Sequence, residues 1–426
     1  MVKRYTNSSV FLAALICIIC FYSGLIKVGQ RNPFVSFIPK NNIEALSGQL
    51  ISSPAKYGDG KYYSSRMRVF NLKGIYQGQA VTSTAYGDVQ VLIPSEQVEA
   101  FYPGKLYSKS ISLNNGKAFL WEAGGNYSVK GRFNSSADKF YIYECTGSDF
   151  PDNFYGRFDR LRALCRLQFK RLMYSWGEAG GLLLALLCGA KEYTSSEVSL
   201  CFRNAGLSHI LALSGMHLSM FSGIAMFAGR KIKKRKLSFI IRVIALVLFV
   251  WFAGLSPSLL RAFICSLLTI IASLANVEKP DMVLILAFSF LCQTIISPSD
   301  IYSAGFILSY TALAGILLTN VFFRRFYLKF IPSYFANSLG SSTGAQVFTA
   351  PVSLYMFNSF SPVGIIATTV VSPVITLFIY GGLALILLCL IFPILALPSG
   401  FFVNLLYTVI KFLVKIFSKA VIWRII

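Results

Sequence analysis

Long apolar runs broken by short polar loops fill the last two thirds of the chain. A 17-residue apolar run, VFLAALICIICFYSGLI, follows the basic start MVKRYTNSS. Runs of this kind predict helices that cross a lipid bilayer, because about 20 apolar residues span its hydrocarbon core. The opening run is longer than a signal-peptide core and no small-residue cleavage site follows it, so residues 1–28 read as an uncleaved anchor helix. Beyond residue 178, apolar runs recur near 179–190, 206–228, 237–254, 258–275, 282–296, 303–322, 343–358, 362–396 and 401–423. Those at 179–190 and 343–358 are short for a full crossing and predict re-entrant or interfacial pieces.

Residues 29–150 follow another rule. RMRVFNL, AVTSTA, VQVLIP and KLYSKSISL alternate polar with apolar positions, and YGDG, YPGK, NNGK and AGGN punctuate them. Period-two alternation between turn signals predicts a small all-β barrel or sandwich. The character changes again over 151–177. Phe158, Leu161, Leu164, Cys165, Leu172 and Met173 recur at helical spacing, and Arg162, Arg166 and Lys170 follow one another every fourth residue. This predicts a basic amphipathic helix lying in the membrane interface.

Composition narrows the class. Hydrophobic residues make up 55% of the chain and charged residues 13%, with a mean hydropathy of +0.61. That excludes an ordinary soluble domain. The net charge is +23, and 24 bases against eight acids lie in 151–426, so most of the excess belongs to the membrane part. Contact with a polyanion is one source of such an excess; positive-inside topology is the other. GRKIKKRK (229–236) and FRRFYLK (323–329), with six and three bases, read as cytoplasmic. Counting spans from them puts the Met1 end inside and the β region outside, with 179–190 only partly across. A single cysteine, Cys145, falls in the β region, so no disulfide framework is expected there.

The chain's two histidines, His209 and His217, lie within NAGLSHILALSGMHLSMFSGI (204–224), beside Ser208, Ser214 and Gly215. On one helix they would sit about 80° apart around the axis and about 12 Å apart along it. With no third ligand nearby, no metal site is expected. SGMH also lacks the turn and the acid that a nucleophilic serine needs. Two readings stay open. Ser214–Gly215 is a helix break or packing point, with His217 bonded to a neighbouring helix; or the segment is the polar wall of a watery passage. Arg261, the lone charge in GLSPSLLRAFICSLL, either snorkels outward or lines such a passage, where it meets phosphate. Gln346, in GAQVFTAPVSLYMF beside Pro351, fits a broken helix. Gln293 and Asn320 read as interhelical glue. In the β region, Lys61, Tyr62, Tyr63, Arg66 and Arg68 of GKYYSSRMRV interleave bases with aromatics. They form either a solvated strand face or a cradle for a nucleic-acid backbone with rings on which bases stack.

Four stretches, in order, resemble the ComEC family of DNA-uptake channel proteins. GLLLALLCGAKEYTSSEVSLCFRNAGLSHILALSGMHLSMFSG is similar to that family's core motif, and GLSPSLLRAFICSLL to its Pro-x-x-x-Arg-Ala helix. DIYSAGFILSYTALAGILL resembles its Asp-x-x-x-x-Gly-Phe segment. AQVFTAPVSLYMFNSFSPVGIIATTVVSPV resembles its Gln-x-x-x-x-Pro element. The family's motif residues fall here on His209, Ser214, Gly215, His217, Pro257, Arg261, Asp300, Gly305, Phe306, Ser309, Gln346 and Pro351. Ile307, Met356 and Thr368 or Thr369 depart from it, each replacing a more polar or a basic residue.

The resemblance implies an α-helical polytopic protein of the cell (inner) membrane with an inserted small all-β, OB-like extracytoplasmic domain. The organisation it gives is an anchor at 1–28, the OB-like domain at 29–150, the interfacial helix at 151–177 and a transmembrane channel domain at 178–426. The implied function is uptake of single-stranded DNA in natural competence (transformation). His209, Ser214, Gly215, His217, Arg261, Gln346 and Pro351 would line the channel. Lys61, Tyr62, Tyr63, Arg66 and Arg68 would bind DNA. No enzymatic role, catalytic residue, metal or cofactor is expected. Many family members continue into a metallo-β-lactamase-like hydrolase, which this chain, ending at Ile426, is expected to lack. A nuclease, a cytoplasmic motor and a DNA receptor are therefore expected as separate partners, beside membrane lipid and a second copy of the chain. The alternative is a secondary transporter of small anionic or lipid-linked substrates, or a non-transporting scaffold. A small-anion carrier has no use for a strand-binding β domain.

Overall fold

The computed structural model describes residues 9–26, 32–103, 106–107, 119–134, 138–189, 194–211, 215–230, 235–277, 280–420 and 423–424. After α1 (Ser9–Tyr22) come eight strands: β1 (Val35–Ser36), β2 (Ile43–Leu50), β3 (Ala55–Tyr57), β4 (Tyr62–Tyr76), β5 (Gln79–Tyr86), β6 (Asp88–Pro94), β7 (Asn126–Asn134) and β8 (Lys139–Asp149). A short helix α2 (Ser95–Glu99) follows β6. The long β4 pairs with β2 and with β6. β2 pairs with β7, β7 with β8, and β8 returns to β6. The ring β2–β4–β6–β8–β7 is thus a closed five-stranded barrel, antiparallel except for β6–β8. Closure removes free edges. Alternate side chains fill the interior: Leu46, Tyr63, Met67, Val91, Ile93 and Phe140 have no exposure or almost none.

The remainder is helical: α3 (Phe154–Ser175), α4 (Gly177–Cys188), α5 (Ser196–Asn204), α6 (Ser208–Leu211), α7 (Gly215–Arg230), α8 (Arg235–Ala253), α9 (Pro257–Leu274), α10 (Met282–Ile296), α11 (Ala304–Tyr327), α12 (Ser333–Phe357), α13 (Gly364–Ile391) and α14 (Ala396–Ser418). Short strands β9 (Ser359–Phe360) and β10 (Trp423–Arg424) pair with each other. Among the described residues, four stretches are long and apolar enough to cross a membrane: Pro257–Leu274, Ala304–Tyr327, Gly364–Ile391 and Pro393–Ser418. Local chemistry fixes the helix starts. Ser256 caps α9 ahead of Pro257 at its first position, Asp281 caps α10, and Ser303 caps α11, each side chain accepting a bond from an otherwise orphaned N–H.

The short run near 179–190 forms α4. Its 12 residues reach about 18 Å, and Ala179–Cys188 are all buried against α3, α13 and α14. The opening run forms α1, whose Ala14 and Phe21 pack on Leu286, Ala287 and Phe290 of α10. Cys17 and Cys20, three apart within it, are free thiols.

Two expectations need correction. The apolar run at 343–358 is not a short piece: α12 starts ten residues earlier, in SYFANSLGSSTG, and passes through Pro351. Small residues there serve helix packing, since a methyl group at Gly315 of α11 would lie 2.3 Å from the Gly344 carbonyl oxygen. The second correction concerns α3. Arg166 and Lys170 of its basic stripe are buried, not turned to the interface, while Phe154, Tyr155, Leu161 and Leu164 are exposed. The cause is Glu122, in the segment before β7. Its Oε1 accepts from Arg166 Nε at 3.1 Å and Lys170 Nζ at 3.2 Å, and Ser53 Oγ donates to its other oxygen at 2.6 Å. Arg166 also donates to the carbonyls of Phe252 and Ala253 at the end of α8, and Lys170 to the Tyr102 hydroxyl. Burial opposes the charge on Glu122. The two cations and the hydrogen bonds from Ser53 and Lys170 outweigh it and hold the carboxyl far below the usual carboxylate range. This charged knot ties the barrel to the helical bundle.

Candidate functional site

The motif segment around the histidines is a chain of short elements. α5 ends at Asn204, Gly206 turns the backbone with φ +72°, and α6 covers Ser208–Leu211 before α7 begins at Gly215. Ser214 lies outside the described residues. A tight contact with the start of α13 holds the turn. A methyl group at Gly206 would lie 2.9 Å from the Gly364 Cα, and Ser361 Oγ donates to the Asn204 carbonyl at 2.8 Å. Gln346 of α12 joins this contact: its Nε2 would lie 2.6 Å from a methyl group at Gly364. His209 is exposed beside the turn and bonds to the Gly206 backbone. The fold therefore gathers Gln346 and the His209 turn from positions more than 130 residues apart. Pro351, five residues further along α12, is exposed.

Across the undescribed stretch 212–214, a second group forms. His217, in the first turn of α7, has no exposed surface. Arg261 of α9 is 8% exposed and lies 5.8 Å over the Tyr310 ring. Tyr310 donates to Gln293 Oε1 at 3.1 Å, and Gln293 Nε2 donates to the Pro257 carbonyl at 2.9 Å, which makes Gln293 a link between α9, α10 and α11. Ser289 extends the network toward Cys265. At its outer end lies Asp300, in the connection from α10 to α11. Burial pushes the Asp300 carboxyl up from its ordinary value, against a Gln293 hydrogen bond and the charge of Arg66 from the barrel.

In the barrel, Lys61, Arg66 and Arg68 are exposed and Tyr62 is half-buried. Arg68 pairs with Asp88 at 3.3 Å. Tyr63 is a correction. Neighbouring strand residues point to opposite faces, and Tyr63 points inward with no exposure, its hydroxyl donating to Glu99 at 2.6 Å. It offers no ring to a base. The aromatic surface lies instead in an open groove of about 620 Å³ lined by Tyr62, Arg132, Phe133, Tyr141, Ile142 and Tyr143, among others. Tyr62 meets Tyr141 edge-on at 5.5 Å. Lys139 donates to the Tyr57 hydroxyl at 2.6 Å and covers that ring at 4.5 Å. Arg132, Tyr141 and Tyr143 escaped the reading of GKYYSSRMRV because they come from β7 and β8. The signal for Tyr141 and Tyr143 was the alternation in KFYIYE.

Comparison with known proteins gives the same family. The competence protein family model matches residues 186–425, more than half of the chain, though not the barrel. ComE operon protein 3 of Bacillus subtilis (strain 168) is 27% identical over 210 residues, covering 48% of this chain and 26% of that protein. The match therefore spans about a quarter of the relative's length. No solved structure matches. From the last turn of α4, through the histidine turn, Arg261 and Gln346, to β10, this membrane protein belongs to the competence protein (ComEC) family.

Proposed function

We propose that the chain is the inner-membrane channel through which single-stranded DNA enters the cell in natural competence. The observation that carries this reading is a closed barrel bearing an aromatic and basic groove, fixed by a buried ion knot to a bundle of the competence family. The barrel's strand order, numbered within the ring, is 1-2-3-5-4-1 with a parallel 3–5 pair, which supports an OB-like reading. OB-type barrels bind single strands by stacking bases on aromatic side chains beside a cationic track. Tyr62, Tyr141, Tyr143 and Arg132 supply that chemistry, with Lys61 on the turn before β4 and Lys139 at the start of β8.

The route onward would run past His209, Ser214, Gly215, His217, Arg261, Gln346 and Pro351. Phosphates drawn through bare hydrocarbon would face a prohibitive cost, so the route needs polar groups and water. The basic stretches 229–236 and 323–329 support a cytoplasmic location for those loops and an extracytoplasmic barrel. The chain acts as a conduit, not an enzyme. A cytoplasmic motor, a DNA receptor and a separate nuclease would supply the remaining steps, around one copy of the chain or two.

The test is binding of a fluorescent 20-nucleotide single strand to the full chain in nanodiscs. Anisotropy should report binding that weakens with salt, log K falling by about 0.7 per phosphate contact for each unit of log salt. Binding that ignores salt, or equal preference for small dicarboxylates, would remove the strand-receiving role.

A further inference from the structure

We propose that Arg261 and the first turn of α7 form a binding site for one phosphate group inside the bundle, at which a passing nucleic-acid backbone is held. The inference rests on the reading of the bundle as a route for DNA and gives that route a discrete step.

Among the described residues no carboxylate answers the charge of Arg261, which meets the face of the Tyr310 ring. Its Nε and Nη1 are both buried and donate no hydrogen bond. Cys265 and Tyr310 are titratable groups that act on it, and both are neutral acids rather than carboxylates. The contrast with α3 is direct: Arg166 and Lys170, equally buried, share Glu122. An unanswered cation within a membrane bundle is costly and marks a functional site.

What faces that cation is the start of a helix. Gly215 opens the 16-residue α7, and a helix start presents N–H groups and the positive end of the backbone dipole. A methyl group at Gly215 would lie 3.6 Å from Arg261 Nη2 and 3.4 Å from Ala262 Cβ. The guanidinium thus lies beside the helix start, with no side chain from residue 215 between them. Two positive features on one small space repel any protein cation and suit an anion. Phosphate fits best, since the planar guanidinium fork grips two of its oxygens while backbone N–H groups take another. The Tyr310–Gln293–Pro257 chain of hydrogen bonds fixes the ring beneath the guanidinium. Either a DNA backbone or a lipid headgroup brings the same phosphate chemistry.

The experiment is thermal unfolding of the full chain in neutral detergent, with inorganic phosphate against chloride at matched ionic strength. Two further arms use a thymidine tetramer and nanodiscs containing phosphatidylglycerol. Phosphate should raise the midpoint of the wild-type protein, and Arg261→Gln should abolish that rise. Gly215→Ala leaves every other side chain in place and meets no close contact. It should unfold no earlier than wild type, yet bind phosphate at least about tenfold more weakly, as loss of one charge-assisted hydrogen bond implies. It carries the test should Arg261→Gln fail to fold. A phosphate rise that survives Arg261→Gln, or that Gly215→Ala leaves untouched, overturns the site. If phosphate and the lipid act at Arg261 while the tetramer does not, the site stands and the DNA route falls. If the tetramer binds equally well to both variants, the route stands and the site falls.

Discussion

Replacing Glu122 by Gln should loosen the joint between barrel and bundle more than any surface change. The side chain is 3% exposed, and it answers two cations, Arg166 and Lys170, that are 4% and 3% exposed. Glutamine keeps the shape and can still accept from Ser53, so the loss is that of the charge. Breaking a buried ion pair from one side costs about 3–5 kcal/mol, because the partner stays buried and uncompensated. Here two partners are stranded, although Arg166 retains its bonds to the carbonyls of Phe252 and Ala253, so the lower part of that range, about 3 kcal/mol, is expected. Denaturant unfolding in detergent would measure it. The double variant Glu122→Gln/Lys170→Met should recover part of the loss, since it removes one stranded charge. The pH dependence follows with its sign. A carboxyl whose folded pKa is depressed adds stability that is fully present above its unfolded value, about 4.3, and is lost as pH falls below it. Wild type should therefore weaken progressively below pH ~4, and Glu122→Gln should lack that component of the acid loss. A variant within about 0.5 kcal/mol of wild type, with an unchanged acid profile, would refute the knot as the joint.

Other consequences are open to measurement. Tyr141→Ala should weaken oligonucleotide binding by about tenfold, since one base stack is worth about 1–3 kcal/mol, and Arg132→Glu should weaken it further and lower the salt slope; Tyr63→Phe, altering a core hydroxyl, should leave affinity unchanged. Gly364→Ala would press a methyl group to 2.6 Å from Gln346 Nε2 and 3.1 Å from the Gly206 carbonyl oxygen. Such overpacking should cost about 1–3 kcal/mol in stability and reduce DNA uptake at equal membrane abundance. His217→Gln should keep much of uptake where His217→Leu abolishes it, with expression of both checked by immunoblot; normal transport by the Leu variant would exclude His217 from the route. With native cysteines replaced, a cysteine at Asp59 should react with an impermeant thiol reagent from outside and one at Lys329 should not; the opposite pattern would invert the topology.

Helix boundaries were legible where chemistry changed abruptly. The apolar runs at 258–275 and 282–296 match α9 and α10 within one residue, because Ser256–Pro257 and Asp281 start those helices in sequence as in space. The first half of α12 was hidden because hydropathy registers surfaces meant for lipid. Ser338, Gly340 and Gly344 face other helices, and Ser338 bonds to Thr369 of α13. The i+4 stripe of α3 was read correctly as a stripe and assigned to the wrong side. Its counter-charge lies 44 residues from Arg166, and periodicity says nothing about partners at that distance. Tyr63 was within reach, since strict alternation along β4 separates it from Tyr62 and Arg66. The contact of Gly206 with Gly364 and Gln346 was beyond reach without the fold. Gln346 stood out as a motif residue and the two glycines lay inside motif stretches, and nothing in the spacing joined them.

The proposed passage of single-stranded DNA across the membrane through this chain is open to measurement in cells. It is tested most directly by following DNA labelled on one strand into competent cells that carry wild-type protein or the Gly364→Ala variant at matched membrane levels. External nuclease separates what has entered from what has not. Wild type should give a protected, single-stranded, cytoplasmic pool, and the variant should leave the label arrested outside the inner membrane. Equal protected pools in cells with and without the chain would contradict the proposed passage.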